Sequence, residues 1–595
     1  MTRATKIGAT MALASVCALV IAACGSSSSS SSSISASGIQ TPKTEPQTGG
    51  KRGGTLTVLN HEDFEHLDPG EAYFVMDYEA IYASQRPLFS YKPNTFAEAV
   101  PDLASGPAEI SPDGKTVTVH IRHGVHFSPP VNREVTSADV AYAIDRGPSA
   151  NVNNPYFTAY FSSIVGAEEA ITKANGGPIS GIVTPDKYTI VFHLTKPTAA
   201  TVVHALALPL SAPVPEEFAK KYDSKKPSEY GNYLVATGPY MFKSNAEGKV
   251  LGIGYQPGKS ATLVRNPNWN AATDFRPAYL NQININIGGD ENVIGRQVLE
   301  GSDEIQNDPP AKSIVQLAYE HYKGQLQITP GAGDHYVGVD SKHGPFTNVN
   351  LRKAYWAALD RSAIVKARGG TLVATPMTHF LYPEIPGSEA AGGLAGPKVD
   401  YNEHPEGDMA VAEKYMRLAG YPSGKYTGSK TLEIVGSTGE PASEMAEINA
   451  DTLKSLGFKT KLSLVDQSVM YAKYCGVPAE QIDVCPNVGW VADFADPEAT
   501  LEVPFDGNDI PSTGNENWGQ FNNPKINAAM AKAALLVGKE AREKAWAAID
   551  TELVENAAAI PEDWDKEAAI ESKDVAGVGD QWNIGSWDYD YTSLK

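Results

Sequence analysis

Alternating apolar and polar positions recur in short runs through the first half of the chain. Thr55-Leu-Thr-Val-Leu59, Thr116-Val-Thr-Val-His-Ile121, Tyr188–Leu194, Ala261–Val264 and Ile283-Asn-Ile-Asn-Ile287 place apolar side chains at every second residue, the period of a half-buried strand. Thr136 followed three residues on by Asp139 predicts a capping box, and Val140, Ala143 and Ile144 continue at helical spacing. In the second half, a strand at Leu432–Val435, a helix at Ala442–Leu456 and a strand at Lys459–Val465 form a βαβ unit, which predicts a parallel sheet. That helix should bury Met445, Ile448, Thr452 and Leu456 and stop at Gly457. Two more helices are expected: Leu351–Leu359 capped by Asn350, and one opened by Pro405 and closed by Gly420. There is no internal repeat, and 595 residues call for several domains.

The N-terminus follows a different rule. Arg3 and Lys6 precede an uncharged stretch, Ile7–Ala23, which ends in Ile21-Ala-Ala-Cys24. Small residues before a cleavage point mark a signal peptide over 1–23. The cysteine directly after them resembles the bacterial lipobox, which implies lipidation of Cys24. Eight serines, Ser26–Ser33, and a Thr/Pro/Gly/Gln stretch follow; residues 24–51 cannot bury a core and read as a flexible tether. No later stretch is apolar enough to span a bilayer. Cys475 and Cys485 remain in an exported, disulfide-permissive setting and are expected to pair, the alternative being two buried thiols. Zinc is not expected, because no histidine lies beyond His404 to complete a site.

Formal net charge is −21, and removing Arg3 and Lys6 with residues 1–23 leaves −23. That disfavours nucleic acid and anionic surfaces as partners. The chemical motifs are weak. His61 and His66 are five apart, not the four of a zinc-protease helix. His120, His123 and His126 read as a solvated strand end. Gly254–Ser260 has three residues between its glycines where a phosphate loop needs four, so it reads as a hairpin turn.

Several stretches, in order, resemble family 5 extracellular solute-binding proteins of ABC importers, the group with the oligopeptide- and dipeptide-binding proteins. Ser111–Phe127 is similar to their "DGKxYTFxLRxGVxF" hairpin, Thr136–Val140 to "TAxDV", Ala236–Tyr240 to "GTGPY", and Arg265–Trp269 to "RNPxYW". Pro345–Ala354 with Leu359-Asp-Arg361 is similar to "PFxDxxVRxA…AIDR", and Gly489–Pro497 to "GWxADYxDP". Gly338-Val-Asp-Ser341 departs from the usual Phe-Asn, and Asn402–Pro405 from the usual "YDP". Taken as residues alone, Thr237–Tyr240 is a tight turn into a strand, and Arg352 reads as a helix-surface ion pair.

The resemblance implies an α/β, two-lobed, periplasmic-binding-protein-like fold of type II, large cluster with an extra subdomain, joined by a two-strand hinge. Lobe one should be 52–324 plus 557–595, with an inserted subdomain at about 80–185; lobe two should be 325–556. The hinge strands should lie near Leu326–Asp340 and Ala558–Ser572. The implied role is capture of a small peptide and delivery to the transmembrane subunits of an ABC permease, by a lipid-anchored monomer on the outer face of the membrane. No cofactor and no catalysis are expected. In peptide-binding members the aspartate matched by Asp493 pairs with the ligand's α-ammonium, and Trp490 matches a cleft tryptophan. Asp496, beside Pro497, is assigned to the local turn. The rival readings are a non-peptide solute, such as an oligosaccharide or metal chelate, and a secreted hydrolase. Trp490, Trp518 and Trp269 are the aromatic platforms a sugar would need.

Overall fold

The computed structural model describes residues 49–93, 99–173, 176–508, 510–578 and 587–595. The signal segment, Cys24 and nearly all of the serine tether lie outside the described residues. The described residues hold two sheets of six strands each, and three of the alternating runs lie in the first. In the first, Thr55–Asn60 is central, parallel to Gln282–Ile287 on one side and to Glu304–Gln306 on the other. Ser260–Arg265 and Tyr240–Phe242 extend it antiparallel. Leu56, Val58, Leu263, Ile283 and Ile285 are buried, and each such side chain contributes about 1.5–3 kcal/mol relative to exposure. The Gly254–Ser260 stretch is the expected hairpin: Tyr255–Gln256 pairs back onto Ser260–Ala261.

A smaller antiparallel sheet is built from Glu109–Ile110, Thr116–His120, Thr189–His193 and Ile182–Asp186. The helix Ser137–Arg146 starts at the Thr136/Asp139 capping box, a motif whose cap is worth about 1 kcal/mol, and is tied beside the sheet by Ser137, whose hydroxyl donates to the Asp186 carbonyl at 2.6 Å.

The second large sheet has the order Ala374–Pro376, Ile560–Ile570, Leu326–Val339, Val484–Val491, Thr431–Ser437, Lys459–Val465. Its last two strands are parallel, joined through the helix Ala442–Ser455. The buried face of that helix differs from the expected one. Met445 and Leu456 are buried, but Ala446, Asn449, Ala450 and Leu453 are buried with them, while Ile448 and Thr452 are half-buried. The rotation seats Asn449 as a polar link: it accepts from Tyr355 Oη at 2.6 Å and donates to Glu562 at 2.6 Å.

Two helix starts also move. Asn348, not Asn350, caps Val349–Ala358, because its side chain accepts from the Asn350 amide. Asp408, not Pro405, starts Met409–Leu418, since Gly407 at φ +81° breaks the chain between them. Arg352 is no surface ion pair. It is 6% exposed and donates to the carbonyls of Phe346, Asn556 and Ala557 at 2.7–2.8 Å, with no acid within ion-pair distance among the described residues. Burial lowers its pKa to about 10.

Two long antiparallel strands, Leu326–Val339 and Ile560–Ile570, join the two lobes. At one end Leu326 and Ile570 pack with Leu59, Val298 and Ile314 of the first lobe. At the other end the same strands lie at the centre of the second sheet. Their register breaks between Pro330 and Asp334. Gly331 sits in that break, and a Cβ there would lie 2.0 Å from the Asp565 carbonyl oxygen, so only glycine fits. The chain then returns to the first lobe, where Trp587 and Tyr589 share the core of Leu56 and Val58, and the Trp587 indole donates to the Gln306 carbonyl at 2.9 Å.

Candidate functional site

Trp490 and Asp493 stand at the end of the strand Val484–Val491 and just beyond it, where the second lobe meets the first. Trp490 is 5% exposed; its indole N–H donates to the Ala499 carbonyl at 2.7 Å, and its ring lies 6.3 Å from that of Trp518. Its polar atom is therefore spent within the lobe. Trp269 is elsewhere, packed into the first-lobe core with its N–H on Asp274, so only two of the three tryptophans come together.

Asp493 is half-buried and accepts a hydrogen bond from Tyr160 Oη of the first lobe. Glu516, also half-buried, accepts from Tyr73 Oη at 2.8 Å. The two phenols belong to one stack: Tyr73 lies on Tyr156 at 5.4 Å, and Tyr156 on Tyr160 at 6.2 Å. Burial pushes the Asp493 carboxyl well above the usual range, the charge of Glu516 adds to this, and the Tyr160 bond opposes it. Burial likewise raises Glu516. The sequence offered no pattern that picks out Tyr73, Tyr160 or Glu516; the one local signal is the i, i+4 spacing of Tyr156 and Tyr160, which an ordinary core also uses.

Asp496, three residues on, has a different fate. It accepts from the Glu498 amide at 3.0 Å, the local turn role, and also from Arg542 at 2.7 and 3.0 Å. Burial would raise its pKa, but the charges of Arg542 and His204 and the Arg542 hydrogen bonds lower it overall. Further contacts close the same boundary: Thr201 donates to Glu498 at 2.8 Å, and the Ala495 amide donates to Tyr91 Oη at 3.2 Å.

Two other places have the residue types of a site. His335, Asp563 and Asp565 are the one group of metal-ligand character among the described residues, with ligand atoms within 4.8 Å of each other. Arg368 already lies 3.1 Å from Asp563 and 3.5 Å from Asp565, and His335 Nδ1 is 2.9 Å from Asp565, so the carboxylates are compensated from within the chain. An open surface groove of about 520 Å³ over Ser105, His120, His123 and Tyr188 lies at the end of the small sheet. There His123 stacks on Tyr188 at 3.7 Å and His120 contacts Thr189 at 3.1 Å.

Cys475 and Cys485 are joined in a disulfide, with Cα atoms 6.1 Å apart. It ties the end of the short helical segment Met470–Cys475 to the strand that carries Trp490.

Residues 98–512 match the model of the bacterial extracellular solute-binding proteins, family 5, middle region. The chain is 24% identical over 559 residues to heme-binding protein A of Haemophilus influenzae, covering 91% of this chain and 90% of that one. It is 24% identical over 524 residues to the periplasmic murein peptide-binding protein MppA of Escherichia coli, covering 85% and 88%. Among solved structures, clavulanic acid biosynthesis oligopeptide binding protein 2 aligns with a TM-score of 0.79 and 25% identity, covering 93% and 97%. The binding protein DppA from Helicobacter pylori in complex with the peptide STSA aligns with a TM-score of 0.72 and 19% identity, covering 91% and 98%. With two lobes, a two-strand connection and a family match across most of its length, the chain belongs to the family 5 bacterial extracellular solute-binding proteins of ABC importers.

Proposed function

We propose that the protein captures peptides between its lobes and delivers them to the transmembrane subunits of an ABC importer, with Asp493 receiving the peptide's α-ammonium and the ring of Trp490 forming part of the wall. It acts as a monomer held at the outer face of the membrane by lipid on Cys24. One observation carries the reading. Asp493 is a half-buried carboxylate at the boundary of the lobes, and among the described residues no cation lies within ion-pair distance of it; its one hydrogen bond comes from a phenol of the opposite lobe. A carboxylate in such surroundings is costly without a cation, and an arriving ammonium supplies one. Closure about a hinge then buries the pair. The similar proteins named for peptides support this class of ligand, and the one named for heme is why the ligand must be measured.

The test is calorimetric titration of one peptide in free and N-acetylated form. Wild type should prefer the free amine, and Asp493→Asn, which keeps the shape, should lose about 2–5 kcal/mol of that affinity. Equal binding of both peptides by both proteins, with the variant folded, removes Asp493 as the anchor.

A further inference from the structure

At the boundary between the lobes Glu516, like Asp493, has no cation within ion-pair distance among the described residues. Building on the peptide reading, we propose that the site selects peptides with a second positive charge near the amino end, a lysine or arginine side chain received by Glu516 while the α-ammonium sits on Asp493.

Four observations converge. First, the fold supplies cations to acids in this region where it uses them for structure: Asp496 and Glu498 share Arg542, and Asp496 also faces His204 at 3.3 Å. Asp493 and Glu516 receive none among the described residues, only the phenols of Tyr160 and Tyr73. Second, the phenols that meet the two carboxylates belong to one aromatic stack, Tyr73 on Tyr156 on Tyr160, with adjacent ring planes within 25° of each other, which fixes the spacing of the two acids. Third, the ends are close enough to act on one group, since the charges of both Glu516 and Asp493 bear on the Tyr73 hydroxyl.

Fourth, the second-lobe wall carries an unused polar atom. Tyr336 is 2% exposed, its ring lies 5.9 Å from Trp518, and it is close enough to Glu516 to feel its charge. Its hydroxyl has no hydrogen-bond partner among the described residues. A buried hydroxyl of that kind is costly unless a guest uses it, and an ammonium or guanidinium N–H donates to a phenolic oxygen. The ordinary alternative is that Glu516 is a neutral acid kept for Tyr73 alone. It predicts indifference to ligand charge.

The experiment titrates full-length protein, released from the membrane in detergent, with Ala-Ala-Ala, N-acetyl-Ala-Ala-Ala, Lys-Ala-Ala and Ala-Lys-Ala. Wild type should bind the better lysine peptide about tenfold or more tightly than Ala-Ala-Ala. Glu516→Gln should bring that ratio to about one and keep the preference for the free amine; Asp493→Asn should do the reverse. Tyr73→Phe retains the Glu516 charge and removes the phenol that competes for it, so the lysine preference should rise. Tyr73→Phe decides the matter if Glu516→Gln does not fold. The proposal is overturned if wild type treats lysine and alanine alike, if folded Glu516→Gln keeps the lysine preference, or if Tyr73→Phe leaves it unchanged. In each case a surviving preference for the free amine leaves the Asp493 reading standing. Loss of both preferences in wild type removes the two together.

Discussion

Tyr160, on the short helix Phe157–Phe161, donates its phenolic proton to Asp493, a residue 333 positions further along the chain. The contact places a first-lobe hydroxyl where a ligand's ammonium is proposed to sit. A phenol can donate one hydrogen bond; an ammonium donates three and brings a charge. On the proposed reading, Tyr160 is a weak stand-in that holds the lobes together until a better donor arrives.

Tyr160→Phe should bind a free-amine peptide more tightly, by about 0.5–1.5 kcal/mol, the worth of one hydrogen bond no longer displaced. The unliganded variant should also have a larger radius of gyration in small-angle scattering. Weaker peptide binding would make Tyr160 part of the ligand's own coordination instead.

Peptide binding should release a proton. Burial raises the Asp493 carboxyl, with Glu516 adding to the shift, so the closed unliganded form binds more protons than an open form with ordinary carboxyls. The sign follows: closure without ligand is favoured as pH falls and is lost as pH rises through the raised value. A bound ammonium returns Asp493 to the ionised state. Titrations in two buffers of different ionisation heat should give enthalpies that differ in the sense of proton release on binding. Identical enthalpies would show Asp493 ionised before the ligand arrives.

Arg352→Ala should destabilise the second lobe by about 3 kcal/mol, because three carbonyls lose their shared donor inside the fold. Arg352→Lys should recover little, since an ammonium cannot reproduce the planar fork. Denaturant midpoints measure both, and wild-type stability for either variant contradicts the assignment.

Peptide mapping under non-reducing conditions should recover Cys475 and Cys485 in one cross-linked fragment. Closing a loop of about ten residues contributes roughly 2–3 kcal/mol on an entropic model, so a Cys475→Ser/Cys485→Ser double variant should melt earlier. Two alkylatable thiols in native exported protein would refute the bond.

Cys24→Ala should move the protein from the membrane fraction to the soluble fraction on cell fractionation. Identical partitioning of wild type and variant in the soluble fraction would exclude lipidation.

What the sequence made legible, and what it hid, follows from the range of the interactions. Strands such as Ile283–Ile287 were readable because alternation is local, and the Thr136/Asp139 cap because its partners are three residues apart. Asp493 stood out because it is an acid set among Trp490, Val491 and Phe494. Its counterpart Tyr160 was invisible, since nothing near position 160 encodes a partner in the other lobe. Arg352 misled for the same reason: on its own helix it has the spacing of a surface residue, and the chain that covers it, Asn556 and Ala557, arrives two hundred residues later.

The break in pairing at Gly331 has a mechanical consequence. Three residues beyond it, Asp334 lies directly opposite Trp490, so the strand that bends between the lobes also pairs with the strand that carries the proposed wall residue. Torsion at the joint is passed to the wall through a single span of backbone. On the proposed reading, specificity and closure share one lever arm, and variants that stiffen the joint should also retune which guests are accepted.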